Sequence, residues 1–190
     1  MLAKIVQEAT DAVASAVKGV DNILSAVTGT VKNQVVNVLQ GTGEVAGTAV
    51  ESVASVAAGA IKGAGEVGAS LTDTATSTMS GVVNGASEVG GDVIGAIRGG
   101  AEGIVKGTAD TGGDIGAAAV SAVQGAVKAA GDVGGDTSEA AKSAVGGALD
   151  AATSVGGDAV DTVRDALLST ASLPRDVIES AVKGSDKTDK

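Results

Sequence analysis

The stretch "SEVGGDVIG", residues 87 to 95, decides how the chain folds, because close relatives of it return along the sequence. "GEVGASLTD" occupies 65 to 73, "GDVGGDTSE" occupies 131 to 139, and "SVGGDAVD" occupies 154 to 161. The acidic residue ahead of the motif sets the interval. Glu44, Glu66, Glu88, Asp110 and Asp132 fall 22 residues apart, and Ser154 and Asp176 continue the series. Midway between them lie Ser55, Ser77, Gly99, Ser121, Ser143 and Asp165. The unit is therefore 22 residues long, built from two related halves of 11, and a repeat of this kind has to be read before any fold is assigned.

Eleven residues make three helical turns at about 3.67 residues per turn, close to the ideal α-helix. Numbering each position by its remainder on division by 11 sorts the chain into faces. Remainders 1, 5, 9, 2 and 6 fill an arc of roughly 130° on a helical wheel and form the predicted apolar face. The charges test this assignment. Five of the eleven positions belong to the arc, yet of the 13 basic and 23 acidic residues only Asp189 falls in it. Remainder 1 carries Val45, Val56, Val67, Val89, Val133 and Val155; remainder 6 carries Val50, Ile61, Val83, Ile94, Val105, Val127, Leu149 and Val160. These fourteen residues are the candidate surface-contact face. The phase also holds at the start, through Ile5, Val6, Val13, Val17 and Val20, and near the end, through Val177, Ile178 and Val182.

The polar side is sorted as well. Lys18, Lys62, Lys106 and Lys128 share one position, and Lys32, Arg98, Lys142, Arg164 and Arg175 share a neighbouring one. Acidic residues take the adjoining strip: Glu44, Glu66, Glu88 and Asp132, then Asp92, Asp114, Asp136 and Asp158. Two such helices laid side by side set unlike edges together, or the strip is simply a solvated face.

The two halves of the unit differ, because one carries helix-start chemistry. Thr48 precedes Glu51 by three, as Ser70 precedes Asp73, Asp136 precedes Glu139 and Asp158 precedes Asp161. Each pair resembles a capping box. Gly pairs at 112–113, 134–135 and 156–157 precede several of these caps and suit helix stops. Lys62, Lys106 and Lys128 are expected near helix C-termini, where a cation suits the dipole. "TGTVKN" (28–33), "GTGE" (41–44) and "TDTATSTMSG" (72–81) are candidate bends, and Pro174 predicts a break before a short final helix from about Arg175 to Lys183.

The fold expected is thus all-α: elongated 11/22-residue amphipathic helical repeats, as long helices or as a stacked array of short Gly-punctuated helices. A single array covers residues 1–183, with its clearest 22-residue units at 44–165, followed by a polar tail at 184–190. Gly inside a helix costs up to about 1 kcal/mol relative to Ala. With 30 Gly residues, a continuous isolated helix needs packing, lipid or assembly to stabilise it. The remaining alternative is a Gly-rich β-solenoid with 22 residues per coil.

Composition restricts function. The chain is 44% hydrophobic but has no Phe, Trp, Tyr, Cys or His. Without His and Cys the usual general base, the commonest metal ligand and a thiolate nucleophile are missing. No phosphate-loop or dinucleotide motif occurs. Acidic residues spaced by one unit stand about 33 Å apart along one helix. No enzyme activity, cofactor, metal or small-molecule substrate is expected. A formal net charge of −10, with no basic patch and no aromatic platform, argues against nucleic acid. The N-terminus, "MLAKIVQEATDAV", lacks a long apolar core, so no secretory signal is expected. Nor is there an uncharged, strongly apolar run of about 18 residues. A cytoplasmic place, or peripheral attachment to an internal membrane or granule, is expected.

Residues 31 to 70, "VKNQVVNVLQGTGEVAGTAVESVASVAAGAIKGAGEVGAS", resemble the lipid-binding region of the synuclein family in their 11-residue phasing, in "QVVNV" and in "GAGEVGAS". The wider 11-residue logic resembles apolipoproteins and lipid-droplet coat proteins. That resemblance implies a helix lying on lipid. The Lys-Thr-Lys-Glu-Gly-Val motif of synuclein repeats is absent. Two functions are expected from these readings. One is a non-enzymatic coat or scaffold on a lipid membrane or apolar granule surface; the other is a self-assembling bundle, sheath or filament that partners only its own copies.

Overall fold

In the computed structural model the chain is all-helical, and residues 2–41, 46–66, 68–170 and 175–185 are described. Among the described residues eight helices follow one another: α1 (Leu2–Gly41), α2 (Ala46–Glu66), α3 (Leu71–Glu88), α4 (Val93–Asp110), α5 (Ile115–Asp132), α6 (Thr137–Val155), α7 (Ala159–Ser169) and α8 (Arg175–Ser185). From α3 onward the starts fall at 71, 93, 115, 137 and 159, so one helix and one turn fill each 22-residue unit. This is the short-helix form of the expected array, and no β-strand occurs among the described residues.

The opening motif is the turn that makes this possible. At the end of α3 the Gly91 N–H donates to Ala86 O and the Gly90 N–H donates to Ser87 O, a Schellman closure. The closure needs a left-handed residue, and Gly90 supplies it at φ 65°. Next, the Asp92 carboxylate accepts from the Gly95 N–H at 2.9 Å and caps α4. The same pair of backbone bonds recurs after α2, α4 and α5. Ser70, Asp114 and Asp136 provide the caps for α3, α5 and α6. The turn before α7 departs: α6 runs one residue further, and Asp158 makes no side-chain cap bond. Of the other expected caps, Thr48 lies inside α2, which already begins at Ala46.

Each helix touches only its neighbours one and two places along, and for most helices the contacts two places along are the more extensive, α5 against α6 being the exception. The odd-numbered helices therefore form one layer and the even-numbered helices a second, with α1–α3–α5–α7 facing α2–α4–α6–α8. Within a layer the helices run parallel, because Gly99, Gly103 and Gly107 of α4 meet Val50, Ala54 and Ala58 of α2 in the same order. The core is built from Ala, Val and a few larger side chains, Ile61, Met79, Ile97, Ile104, Leu167 and Ile178 among them.

Two of the expected bends are not bends. "TGTVKN" lies inside α1 and "TDTATSTMSG" inside α3. Several of their hydroxyls turn back onto the helix, Thr28 onto Leu24 O, Thr76 onto Thr72 O and Ser80 onto Thr76 O, so Ser/Thr-rich sequence is accommodated without a break. "GTGE" begins at the last residue of α1 and otherwise lies outside the described residues. Pro174 and the break expected there lie outside the described residues, and α8 begins at Arg175, where the final helix was expected.

Two measurements check this architecture. A methyl group at Gly103 would meet the Ala54 backbone, whereas one at Gly29 would meet nothing within 4 Å. In urea unfolding, Gly103→Ala is expected to lose about 1–3 kcal/mol. Gly29→Ala is expected to gain up to about 1 kcal/mol from helix propensity. The second measurement concerns acid. The Glu139 N–H, then the Ser138 N–H, with Lys142 nearby, hold the Asp136 carboxyl below its ordinary value of 3.8. A depressed value means that the charged cap stabilises the fold above the ordinary value, and that this stability is lost as pH falls through the folded-state value. Asp136→Asn keeps a capping side chain, so stability near neutrality should change little. Its loss of stability below pH 3.8 should be shallower than in the wild type.

Candidate functional site

The repeated geometry of the molecule is a seam between parallel helices two places apart. Gly99 meets Val50, Gly103 meets Ala54, Gly125 meets Thr76 and Gly147 meets Arg98, in each case a backbone carbonyl 49 residues earlier. Two side-chain hydrogen bonds keep the same interval: Thr28 Oγ1 donates to Ser77 O at 3.2 Å, and Ser143 Oγ donates to Ile94 O at 2.7 Å. A Cβ added at Gly81 would stand 2.7 Å from Thr28 O, and one at Gly85 would stand 2.8 Å from Lys32 O. Small residues thus let two backbones touch, with Cα–H groups facing carbonyl oxygens.

Ion pairs flank the seams. Lys32 reaches Glu88, Lys62 reaches Asp110 and Arg98 reaches Asp150, each at 2.6 Å and each between helices two places apart. The sorted charge edges of the sequence meet here as unlike neighbours. All six side chains are more than a third exposed, so each pair contributes at most about 1 kcal/mol. They fix register more than they add stability. Lys62 and Lys106 lie four residues before their helix ends. Lys62 serves Asp110, and Lys106 pairs with Glu102 within α4, so neither sits in the last turn.

The fourteen predicted contact residues go mostly inward. Ile61, Val83, Val105 and Leu149 are buried in the core. Val56, Ile94, Val127, Val133 and Val160 are half-buried and packed against it. Val50 and Val89 are half-buried too, Val50 lying against Gly99 and Val89 at the C-cap of α3. Val155 is exposed at the end of α6. Val45 and Val67 lie outside the described residues. The arc exists, but most of it is spent between this chain's own helices. Among the residues whose side-chain exposure is described, which in α1 begin at Asn22, only Ile23 and Val155 are large hydrophobic side chains left exposed.

The sequence reading missed the seam itself. Its positions are the small residues Ser77–Gly81–Gly85, Gly99–Gly103–Gly107, Ser121–Gly125–Ala129 and Ser143–Gly147–Ala151. On the 11-residue wheel the first two of each trio coincide with the acidic strip and the third lies beside it, so they fall on the polar side expected in solvent. In fact Gly81, Gly103, Gly125 and Gly147 are buried. The signal was present as Gly at every fourth residue from Gly95 to Gly107.

The seam is left open at one end of the even layer. In α2 the equivalent stripe is Ser55, Gly59 and Gly63; all three are exposed, and nothing lies within 4 Å of a Cβ added at either glycine. In α1 the equivalent positions are Asn33, Asn37 and Gly41, also exposed but bulky and polar at the first two.

Among the described residues there is no group of three or more acidic side chains placed to hold a metal ion. None of the described helices is long and apolar enough to cross a membrane. Comparison with protein-family models, curated proteins and solved structures finds no match to this chain.

The packing separates two positions that the wheel treats alike. Val105 is fully buried, whereas Val89 is half-buried at a helix end. An unpaired carboxylate at Val105 costs several kcal/mol. Val105→Asp is therefore expected to abolish cooperative unfolding seen by circular dichroism, and Val89→Asp to cost distinctly less, because its carboxylate can reach water. Asp132→Ser, at an exposed position, should stay within about 0.5 kcal/mol of the wild type.

Proposed function

We propose that this chain is a non-enzymatic structural protein, a two-layer helical array whose work is to associate with copies of itself. The observation that carries this reading is the fate of the apolar arc. Its side chains face other helices of the same chain, and the repeated seam that joins those helices ends in an exposed stripe of the same kind on α2. Packing of this sort needs no lipid to complete it. Small residues allow close helix approach, and paired charge edges favour one register over others.

The coat or scaffold on lipid or an apolar granule is the second reading, supported by the amphipathic phasing and the resemblance of residues 31–70 to synuclein repeats. That stretch spans the end of α1, all of α2 and the turn into α3, so it belongs to separate helices, α1 ending at Gly41 and α2 beginning at Ala46. To lie on lipid, the array would have to open and exchange its internal seams for the surface.

One experiment separates the two. In lipid-free buffer the protein should be strongly helical by circular dichroism and should sediment as an oligomer. Neutral and anionic vesicles should add little helix. A poorly helical monomer that gains helix only on vesicles would replace this reading with the coat.

A further inference from the structure

We infer that the open stripe on α2 is filled by the first half of α1, residues 5–22, from a second copy of the chain. The inference rests on the self-association reading and names its interface.

The 49-residue interval supplies the register. Applied to Ser55, Gly59 and Gly63, it selects Val6, Thr10 and Ala14. These hold the same places in the 22-residue unit as Val50, Ala54 and Ala58, whose backbones receive Gly99, Gly103 and Gly107. Charge agrees independently. Lys62 pairs with Asp110 across a seam, and Lys18 and Glu66 stand at the same interval one helix pair earlier. Residues 5–22 are thus the missing member of the even layer. The odd layer has no such vacancy, because Asn33 and Asn37 stand where the other odd-layer helices α3 and α5 carry Ser77 and Gly81 or Ser121 and Gly125.

The turn explains why a second copy is needed. Every fold-back from α2 to α6 uses a left-handed glycine, at Gly68, Gly90, Gly112, Gly134 or Gly156. The equivalent residue in α1 is Leu24, followed by Ser25 where four of those turns have a second Gly, and by Ala26 where the capping Ser or Asp belongs. A Leu in that conformation is strained. The chain instead runs through as one helix of 40 residues, while α3, α4 and α5 have 18. Residues 5–22 are therefore carried past their own α2 and delivered to another molecule's, which returns the exchange. The result is a domain-swapped dimer.

The test installs the missing turn and blocks the slot. Leu24→Gly/Ser25→Gly/Ala26→Asp should convert the wild-type dimer into a monomer of similar helix content, because each chain can then fill its own stripe. Gly59→Leu/Gly63→Leu occupies the slot at positions with open space, so it should weaken dimerisation at least tenfold while leaving the helical signal intact. The chain has no cysteine, so Lys18→Cys/Glu66→Cys places the only thiols at the inferred contact. Mild oxidation should give a covalent dimer in the wild-type background and an internal cross-link in the variant with the new turn. A wild-type monomer overturns both this inference and the self-association reading. A wild-type oligomer that ignores both sets of changes, or that forms only the internal cross-link, overturns this inference alone.

Discussion

Everything in this molecule depends on bringing the backbone of one helix against the backbone of the helix two places along. The contact at Gly103 and Ala54 leaves no room for a single methyl group. Such an approach fixes direction and register together. The helices of a layer must run parallel. A separation of 53 relates Thr28 to Gly81 and Lys32 to Gly85, but across most of these contacts, one helical turn less, residue n meets residue n plus 49. Two units account for 44 of that interval. The remaining five turn the contact about 140° around the helix, so that each helix offers carbonyls on one side and small residues on the other. A layer can then continue from helix to helix. It also follows that the unit length cannot drift. One inserted residue would rotate every later seam by about 100° and set side chains where backbones now touch. The strict 22-residue period is therefore a packing requirement, and so is the absence of aromatic residues, whose rings have no place between backbones this close.

The energetic consequence is a stability spread thinly over many like interfaces. Ala and Val bury little area each, and the gain comes from dense contact more than from bulk. Some polar groups work against it. The hydroxyls of Thr74, Thr78 and Thr108 are buried without a hydrogen-bond partner, and each such group costs about 1–3 kcal/mol. The exposed ion pairs cannot offset this. What remains is a nearest-neighbour sum of the kind found in repeat proteins, where each helix leans on its neighbours and the terminal units have fewest of them.

The period, the helix class and two of the caps, Ser70 and Asp136, were legible in the sequence because each rests on local chemistry. "VGGD" at 133–136 forms a Schellman turn and a capped start from its own few residues, so Gly134 and Asp136 could be read directly, whereas the same four residues at 155–158 leave Asp158 without a cap bond. The seam was not legible on the 11-residue wheel, because that wheel overlays two different kinds of position. Asp92 and Gly103 share a wheel place, yet one caps a helix and the other lies in the middle of a contact. Only the full 22-residue unit separates them. Gly in mid-helix was read as a penalty on an isolated helix, which holds for Gly29 and Gly59, where nothing lies near. At Gly81 and Gly99 the same residue is what allows the neighbour to approach. The inward fate of Val83 and Val105 has the same root: periodicity shows that a face is apolar but not what covers it.

The two layers end differently, and the difference lies in side-chain size rather than charge. Asn33 and Asn37 give α1 an outer stripe that can bond water but cannot admit a backbone, which is how a repeat array closes an end. Ser55, Gly59 and Gly63 give α2 a stripe with no such block, and the Ser55 hydroxyl merely turns back to Glu51 O. An end that is closed in one layer and open in the other is what remains when one helix is missing from a pair of layers. The missing helix has the same sequence phase as its neighbours and lacks only the short turn that would bring it home. In this chain three residues, Leu24, Ser25 and Ala26 in place of a left-handed glycine, its successor and a cap, separate a closed monomer from a helix that must find its seam elsewhere.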